Sequence, residues 1–105
     1  MMASLEDRGE GFEKKFAHDA ELKFKAEARR NKLLGEWAAA EMGHADPAAY
    51  AKEVIMADFE EPGDEDVFRK VRGDFDAKKL SISDDVIREK MRALLALAVE
   101  QVQSA

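Results

Sequence analysis

At 105 residues, with 38% charged and 46% hydrophobic residues, the chain fits one domain that buries a single modest core. It has no cysteine, which excludes disulfide bonds and thiolate metal sites, and its apolar stretches are too short for membrane insertion. A net charge of −6 falls far short of the basic footprint of a nucleic-acid-binding protein, so no nucleic-acid partner is expected.

The first predicted element is a long helix from about Leu5 to Met42, which Gly43 ends as a C-terminal cap. Gly9 and Gly11 weaken its opening, because glycine is a poor helix former. Helix formers dominate the rest of the segment, and nothing in it breaks the helical pattern.

The apolar residues of this first helix do not form one continuous stripe. Three of them share a face near the amino terminus, and four more share a face rotated by roughly a fifth of a turn. The first face carries Leu5, Phe12 and Phe16, the second carries Leu22, Ala26, Leu33 and Trp37, and Phe24 and Ala28 lie on a third side. We expect the second face to pack into the core. For Phe12 and Phe16 the residues alone favour core packing slightly over docking into a partner's groove.

The second predicted helix begins where Asp46 caps the chain and Pro47 takes the first helical position. It should run to about Glu60 before the break at Pro62 and Gly63. The residues expected to be buried on it are Tyr50, Val54, Ile55 and Ala57.

Two further helices complete the predicted fold. Asp64 should cap the third, whose apolar stripe is Val67 or Phe68, Val71 and Phe75. A polar connector from Asp76 to Ser83 precedes the last helix. Its amphipathic stripe is Ile87, Met91, Leu94, Leu95, Ala98 and Val102. The expected fold is all-α, a four-helix bundle with a flexible or partly helical amino-terminal segment.

Charge is unevenly distributed along the chain. From Phe12 to Gly35 there are seven Lys or Arg and four Asp or Glu, whereas from Glu36 onward there are nine basic and sixteen acidic residues. A positive arm on an acidic body suggests that the first third touches an acidic partner. A solvated basic helix face explains the same charges equally well.

Candidate catalytic and metal sites are poor. His18 and His44 are not spaced as a metal pair, and each is expected to be an ordinary exposed or loop histidine. A calcium loop aligned from Asp58 fails, because its fifth position is Pro62 and its twelfth, which needs glutamate, is Arg69. We therefore predict no catalytic residues and no metal ligands, and helix capping accounts for the acidic stretch.

The adjacent arginines of the first helix could bind a phosphate group. Arg29 and Arg30, with Lys32, could clamp a phosphate, since guanidinium groups suit oxyanions. A solvated edge of the helix is the favoured interpretation of these residues. The alternative hypothesis is a sensor that binds an adenine nucleotide near Arg29, Arg30 or Trp37, and a weaker one is a generic helical adaptor.

Two blocks of the sequence carry a resemblance to a known family. The stretch KFAHDAELKFKAEARRNKLLGEWAAAEMG, from Lys15 to Gly43, and the stretch YAKEVIMADFEEPGDEDVFRKV, from Tyr50 to Val71, resemble the zeta inhibitor subunit of the alphaproteobacterial F-type ATP synthase. The resemblance implies a four-helix bundle, residues 17–105, that carries a mobile inhibitory segment, residues 1–16. That segment would insert between alpha, beta and gamma subunits of the catalytic head and block ATP hydrolysis.

Carried over to this chain, the inhibitory segment is Leu5 to Phe16. Its apolar contacts would be Leu5, Phe12 and Phe16, and its polar contacts Arg8, Glu13, Lys14 and Lys15. Since enzyme signals are poor, we expect a non-enzymatic protein that requires no cofactor, with an adenine nucleotide as the one possible ligand. No extended self-pairing stripe is visible in the sequence, so a monomer is expected when the protein is free. It would be cytoplasmic and peripheral to the inner membrane through the synthase.

The chain departs from the family pattern at Gly9 and Gly11, which lie inside the inserting segment. Each glycine costs a helix roughly 1 kcal/mol relative to alanine. A segment that becomes ordered on binding must meet that cost. We therefore expect weaker inhibition than in the family's strongest members.

Overall fold

A computed structural model describes the backbone of residues 3–59 and 64–104 and the side chains of residues 20–59 and 64–103. This part of the chain forms four α-helices. The helices are α1 (Ala3–Met42), α2 (Pro47–Ala57), α3 (Glu65–Ala77) and α4 (Asp84–Ser104). These residues contain no β-strand. The prediction of an all-α chain with four helices is confirmed.

Local sequence explains where α1 ends and α2 begins. Gly43 adopts a φ of 65°, which ends α1, and the N–H of His44 donates to the carbonyl of Ala39 at 2.8 Å. The carboxylate of Asp46 accepts from the N–H of Ala49 at 3.1 Å, and Pro47 follows at the first helical position. Both predicted caps are confirmed.

α2 is shorter than predicted, since it ends at Ala57 rather than near Glu60. The N–H groups of Asp58 and Phe59 donate to the carbonyls of Ile55 and Met56, so the last turn tightens before the chain leaves the helix.

α1 is the element around which the others assemble, because α2 and α4 both pack along it and α3 closes the bundle. The main core cluster draws on all four helices, and its members with no exposed surface are Leu34, Ala38, Ala39, Val54, Val67, Val71, Phe75 and Ile87. Trp37 packs edge-on against Phe75, with ring centroids 5.6 Å apart.

The buried face of α1 differs from the predicted one. Of the expected stripe only Ala26 is buried, whereas Leu22, Leu33 and Trp37 are half-buried. The four-residue steps from Ala26 lead instead to Arg30, Leu34 and Ala38, all of which are buried. Sequence periodicity misses this face because an arginine stands in the middle of it.

α1 and α2 cross at close range. A Cβ atom added to Gly35 would lie 2.6 Å from the Cα of Ala51, so the two backbones touch where this glycine lies. Ala51 is buried although it was not predicted to be, whereas Ile55 and Ala57 are only half-buried. Tyr50 and Val54 are buried as predicted.

The stripes of α3 and α4 largely follow the prediction. Val67, Phe68, Val71 and Phe75 are all buried on α3. On α4, Ile87, Met91 and Ala98 are buried, and Leu94, Leu95 and Val102 are half-buried. Asp64 occupies the N-cap position of α3 as predicted, but its side chain makes no capping hydrogen bond and accepts instead from Arg30 of α1.

Candidate functional site

The predicted inhibitory segment, residues 5–16, belongs to α1, which is continuous over Ala3–Met42. The structure describes side chains only from residue 20 onward in α1, so it does not describe those named for the segment or that of His18. The named residues are Leu5, Arg8, Phe12, Glu13, Lys14, Lys15 and Phe16. Their contacts, and the mobility proposed for residues 1–16, therefore stay predictions. The described part of the candidate site is the end of the bundle from which this stretch of helix leads away.

A buried polar cluster joins α1 to the connection between α2 and α3. Arg30 and Asn31 are each only 1% exposed. The Nε of Arg30 donates to Oδ1 of Asn31 at 2.7 Å, and its Nη2 donates to Oδ1 of Asp64 at 2.9 Å. Nδ2 of Asn31 donates to Oδ2 of Asp58 at 3.0 Å. α1 thereby holds both described ends of the α2–α3 connection.

This cluster corrects two interpretations made from the sequence. Arg30 is not a solvated edge of the helix, although Arg29 and Lys32 are exposed as expected. Asp58 and Asp64 do occupy the C-cap position of α2 and the N-cap position of α3, but capping does not account for their carboxylates, which accept hydrogen bonds from side chains of α1.

An exposed apolar patch adjoins the polar cluster. Phe24 on α1 is 64% exposed and Phe59, just after α2, is 69% exposed. Both rings line one shallow cleft together with Ala28 and Ile55. We call these four residues the apolar patch. Glu27, Asn31 and Asp58 border it.

The three residues considered for nucleotide binding are not assembled into one site. The Nη1 of Arg29 donates to Oε1 of Gln101 on α4 at 3.0 Å. Arg30 is turned toward Asp64. Trp37 packs on Phe75 in the core, and the Nζ of Lys90 lies 5.5 Å from its ring centroid.

A basic cleft of about 300 Å³ lies between α1 and α4. Its lining includes the guanidinium groups of Arg30, Arg88 and Arg92, with the carboxylate of Asp64 among them. Arg88 stacks 3.9 Å from the ring centroid of Phe68 and pairs with Glu65, and Arg92 pairs with Glu89. The cleft offers donors suited to an anion, although carboxylates already engage each of them.

A second polar cluster links α2 to α3. The hydroxyl of Tyr50 donates to Oδ2 of Asp74 at 2.7 Å, and Lys70 bridges Asp74 and Glu53 at 2.9 and 2.7 Å. Burial, with the hydrogen bond to the Asp74 carboxylate, raises the pKa of Tyr50 well above its usual value. Burial lowers the pKa of Lys70, but the hydrogen bonds to Glu53 and Asp74 outweigh it, so the net shift is upward.

Metal binding and membrane crossing find no support in the described residues. No group of three or more His, Asp or Glu side chains in the described ranges is placed to hold a metal ion. Across that same part of the chain, the helices lack an apolar window long enough to cross a membrane. His44 lies in the break between α1 and α2, and its Nδ1 accepts from the N–H of Asp46 at 3.0 Å.

Sequence reasoning missed Asn31, Asp58 and Phe59 as members of this site. An asparagine inside a long helix is one usable signal, because its side chain usually serves caps and turns rather than helix interiors. Phe59 carried no such signal, since it lay within the range assigned to the second helix. Its exposure follows from the early end of α2.

Comparison with known proteins gives one family. The model of the family ATPase inhibitor subunit zeta matches residues 2–101. A protein solved in solution by NMR is 48% identical to this chain, with a TM-score of 0.70, and the likeness covers 79% of this chain and 96% of the other. None of the curated proteins matches it.

Proposed function

Since the chain belongs to the ATPase inhibitor subunit zeta family, we propose that it is a non-enzymatic subunit that suppresses ATP hydrolysis by an F-type ATP synthase. Residues 5–16 would insert between the alpha, beta and gamma subunits of the catalytic head. The protein would be monomeric when free, cytoplasmic, and bound at the inner membrane only through the synthase.

The observation that carries this proposal is the continuity of α1, whose 40 residues run from the inhibitory segment into the bundle. A single α-helix of that length is about 60 Å long. Its second half is fixed by the buried side chains of Leu34 and Ala38, with α2 and α4 packed along it. An inserted segment that is part of such a helix stays joined to the folded bundle, which limits how far the segment can move.

Residue types in the segment suit a helix that binds in a groove. Phe12 and Phe16 are four residues apart and so share one side of a helix, where they can serve as apolar anchors with Leu5. Their polar neighbours in the proposal are Arg8, Glu13, Lys14 and Lys15.

The test replaces both anchors, Phe12→Ser with Phe16→Ser, and measures ATP hydrolysis by the catalytic head. We expect inhibition to fall by at least about a hundredfold, because each buried aromatic anchor contributes 1.5–3 kcal/mol or more. Val86→Ser is the matched control, since Val86 is an exposed apolar residue of α4, 49% exposed. Unchanged inhibition by the anchor variant, with helicity retained, would contradict the proposal.

A second candidate function is adenine-nucleotide binding at the basic cleft, where a phosphate would have to compete with Glu65 and Glu89 for the exposed guanidinium groups of Arg88 and Arg92. A nucleotide there would regulate the inhibitor and would not be a required cofactor. Backbone amide shifts on adding ADP or ATP, confined to residues around the cleft, would support this. Their absence, with unaltered Trp37 fluorescence, would remove it.

A further inference from the structure

We infer that the apolar patch is a second contact surface for the same partner, packing on a catalytic-head subunit beside the groove that takes residues 5–16. This inference rests on the proposed function. It assigns the patch to the partner that holds the segment and adds a contact from the bundle itself.

Among the residues whose side chains the structure describes, none covers the two aromatic rings of the patch. Phe24 and Phe59 of the patch are 64% and 69% exposed, and Met56, which lies outside the patch on the last turn of α2, is 65% exposed. These are the most exposed large apolar side chains among those the structure describes. Aromatic rings grouped at one cleft and left in water are typical of a contact surface.

The patch is also held in position. Asp58, the residue before Phe59, accepts a hydrogen bond from the buried Asn31 at 3.0 Å. Arg30 fixes Asn31 in turn, at 2.7 Å. A buried polar cluster thus keeps Phe59 beside α1 and Phe24, and a preordered surface loses less conformational entropy on binding.

The continuity of α1 decides which partner covers the patch. Phe24 lies eight residues beyond Phe16 on the same helix, which is about 12 Å along its axis. A subunit that encloses residues 5–16 has its rim within that distance of Phe24. Glu27 and Asp58 border the patch, so the rim should present basic side chains around an apolar surface.

Two test positions and one control position allow a direct test in the full-length chain. A photo-activatable benzophenone amino acid is placed at position 59, at position 12 in the inhibitory segment, or at position 86 as control. Val86 is at the start of α4, next to Lys90, which lies over Trp37. It is therefore about 20 Å along α1 from Phe24, at the far end of the bundle. Each protein is irradiated with and without the catalytic head.

The inference predicts cross-links to a head subunit from positions 12 and 59 and none from position 86. A cross-link from position 12 alone would overturn the inference that the patch contacts the head, and it would leave the proposed function standing. No cross-link from position 12 or 59 would overturn both. A cross-link from position 59 to a second copy of the chain, and none to the head, would overturn the inference in favour of self-association.

The matched functional readout is the concentration that gives half-maximal inhibition. Phe24→Gln with Phe59→Gln should raise it about tenfold while full inhibition is still reached at saturation, because the inserting segment is intact. Val86→Gln should leave it unchanged. Equal values for the double variant and the unaltered protein would overturn the inference.

Discussion

Arg30 and Asp64 form an ion pair across 34 residues of sequence, with Nη2 of the arginine 2.9 Å from Oδ1 of the aspartate. The two partners differ in environment, since the arginine side chain is 1% exposed and the aspartate 49% exposed. The buried positive charge of Arg30 is therefore neutralised by a carboxylate that lies at the surface. This pair fastens the middle of α1 to the beginning of α3.

Removing that carboxylate should destabilise the fold. Asp64→Ala leaves the guanidinium of Arg30 buried without its counter-ion. We expect the free energy of unfolding to fall by about 3 kcal/mol. This is the lower end of the range for a broken buried pair, because the side chain of Asp64 is itself half-exposed. Urea unfolding measures the loss. Glu89→Ala is the control, because the Glu89–Arg92 pair is exposed on both sides and such pairs contribute under about 1 kcal/mol. Equal losses in the two variants would contradict this account of Arg30.

The contact between α1 and α2 predicts opposite effects for two glycine substitutions. Gly35→Ala puts a Cβ 2.6 Å from the backbone of Ala51, so the helices must move apart. The overpacking costs about 1–3 kcal/mol and outweighs the roughly 1 kcal/mol that alanine adds to helix propensity. We expect a lower melting temperature.

Gly73→Ala is the matched control for that prediction. It also lies within a helix, and a Cβ there meets nothing within 4 Å. Only the propensity gain remains, so Gly73→Ala should stabilise the fold by up to about 1 kcal/mol. A destabilised Gly73→Ala, or a neutral Gly35→Ala, would show that the helix contact is not as close as described.

The hydroxyl of Tyr50 makes stability depend on alkaline pH. Tyr50→Phe should cost about 1 kcal/mol near neutral pH, because the hydrogen bond to Asp74 is lost. The pKa of Tyr50 is raised in the folded protein by burial and by Asp74. The contribution of the phenol is therefore complete below its unfolded pKa near 10 and declines above it.

The measurement is urea unfolding of both proteins between pH 8 and pH 11. One pH unit above the unfolded pKa, the advantage of the unaltered protein over Tyr50→Phe should have fallen by about 1.4 kcal/mol. Lys70 is present in both proteins, so its own titration cancels to first order in the difference. A difference that stays constant over this range would contradict the raised pKa.

Most of the fold could be predicted from the sequence, because its signals are local. Gly43, Asp46 and Pro47 end and start helices through their own backbone and side chains. The buried positions of α4 follow from a three- and four-residue repeat that begins at Ile87.

The candidate site was less predictable, because its contacts join distant parts of the chain. The burial of Arg30 depends on Asp64, which is 34 residues away and on another element. Helical periodicity assigns an arginine to the solvated edge and has no means of finding such a partner. Phe59 was placed inside a helix, so the early end of α2, and the exposure that results, could not be foreseen.

Replacing the two glycines of the inhibitory segment should strengthen inhibition. On the prediction that residues 1–16 become ordered on binding, Gly9→Ala with Gly11→Ala removes a helix-forming cost of roughly 2 kcal/mol, so inhibition should tighten by up to about thirtyfold. Titration of ATP hydrolysis by the catalytic head measures the change. Unchanged or weaker potency, with the bundle intact, would refute the argument from helix propensity.

The most direct test of the inhibitory role is ATP hydrolysis by an isolated F-type catalytic head, with the full-length chain and a chain of residues 17–105 added in parallel. The account predicts inhibition by the full-length protein alone, while residues 17–105 keep the helicity and cooperative unfolding of the bundle. Equal inhibition by both chains, or inhibition by neither, would contradict it.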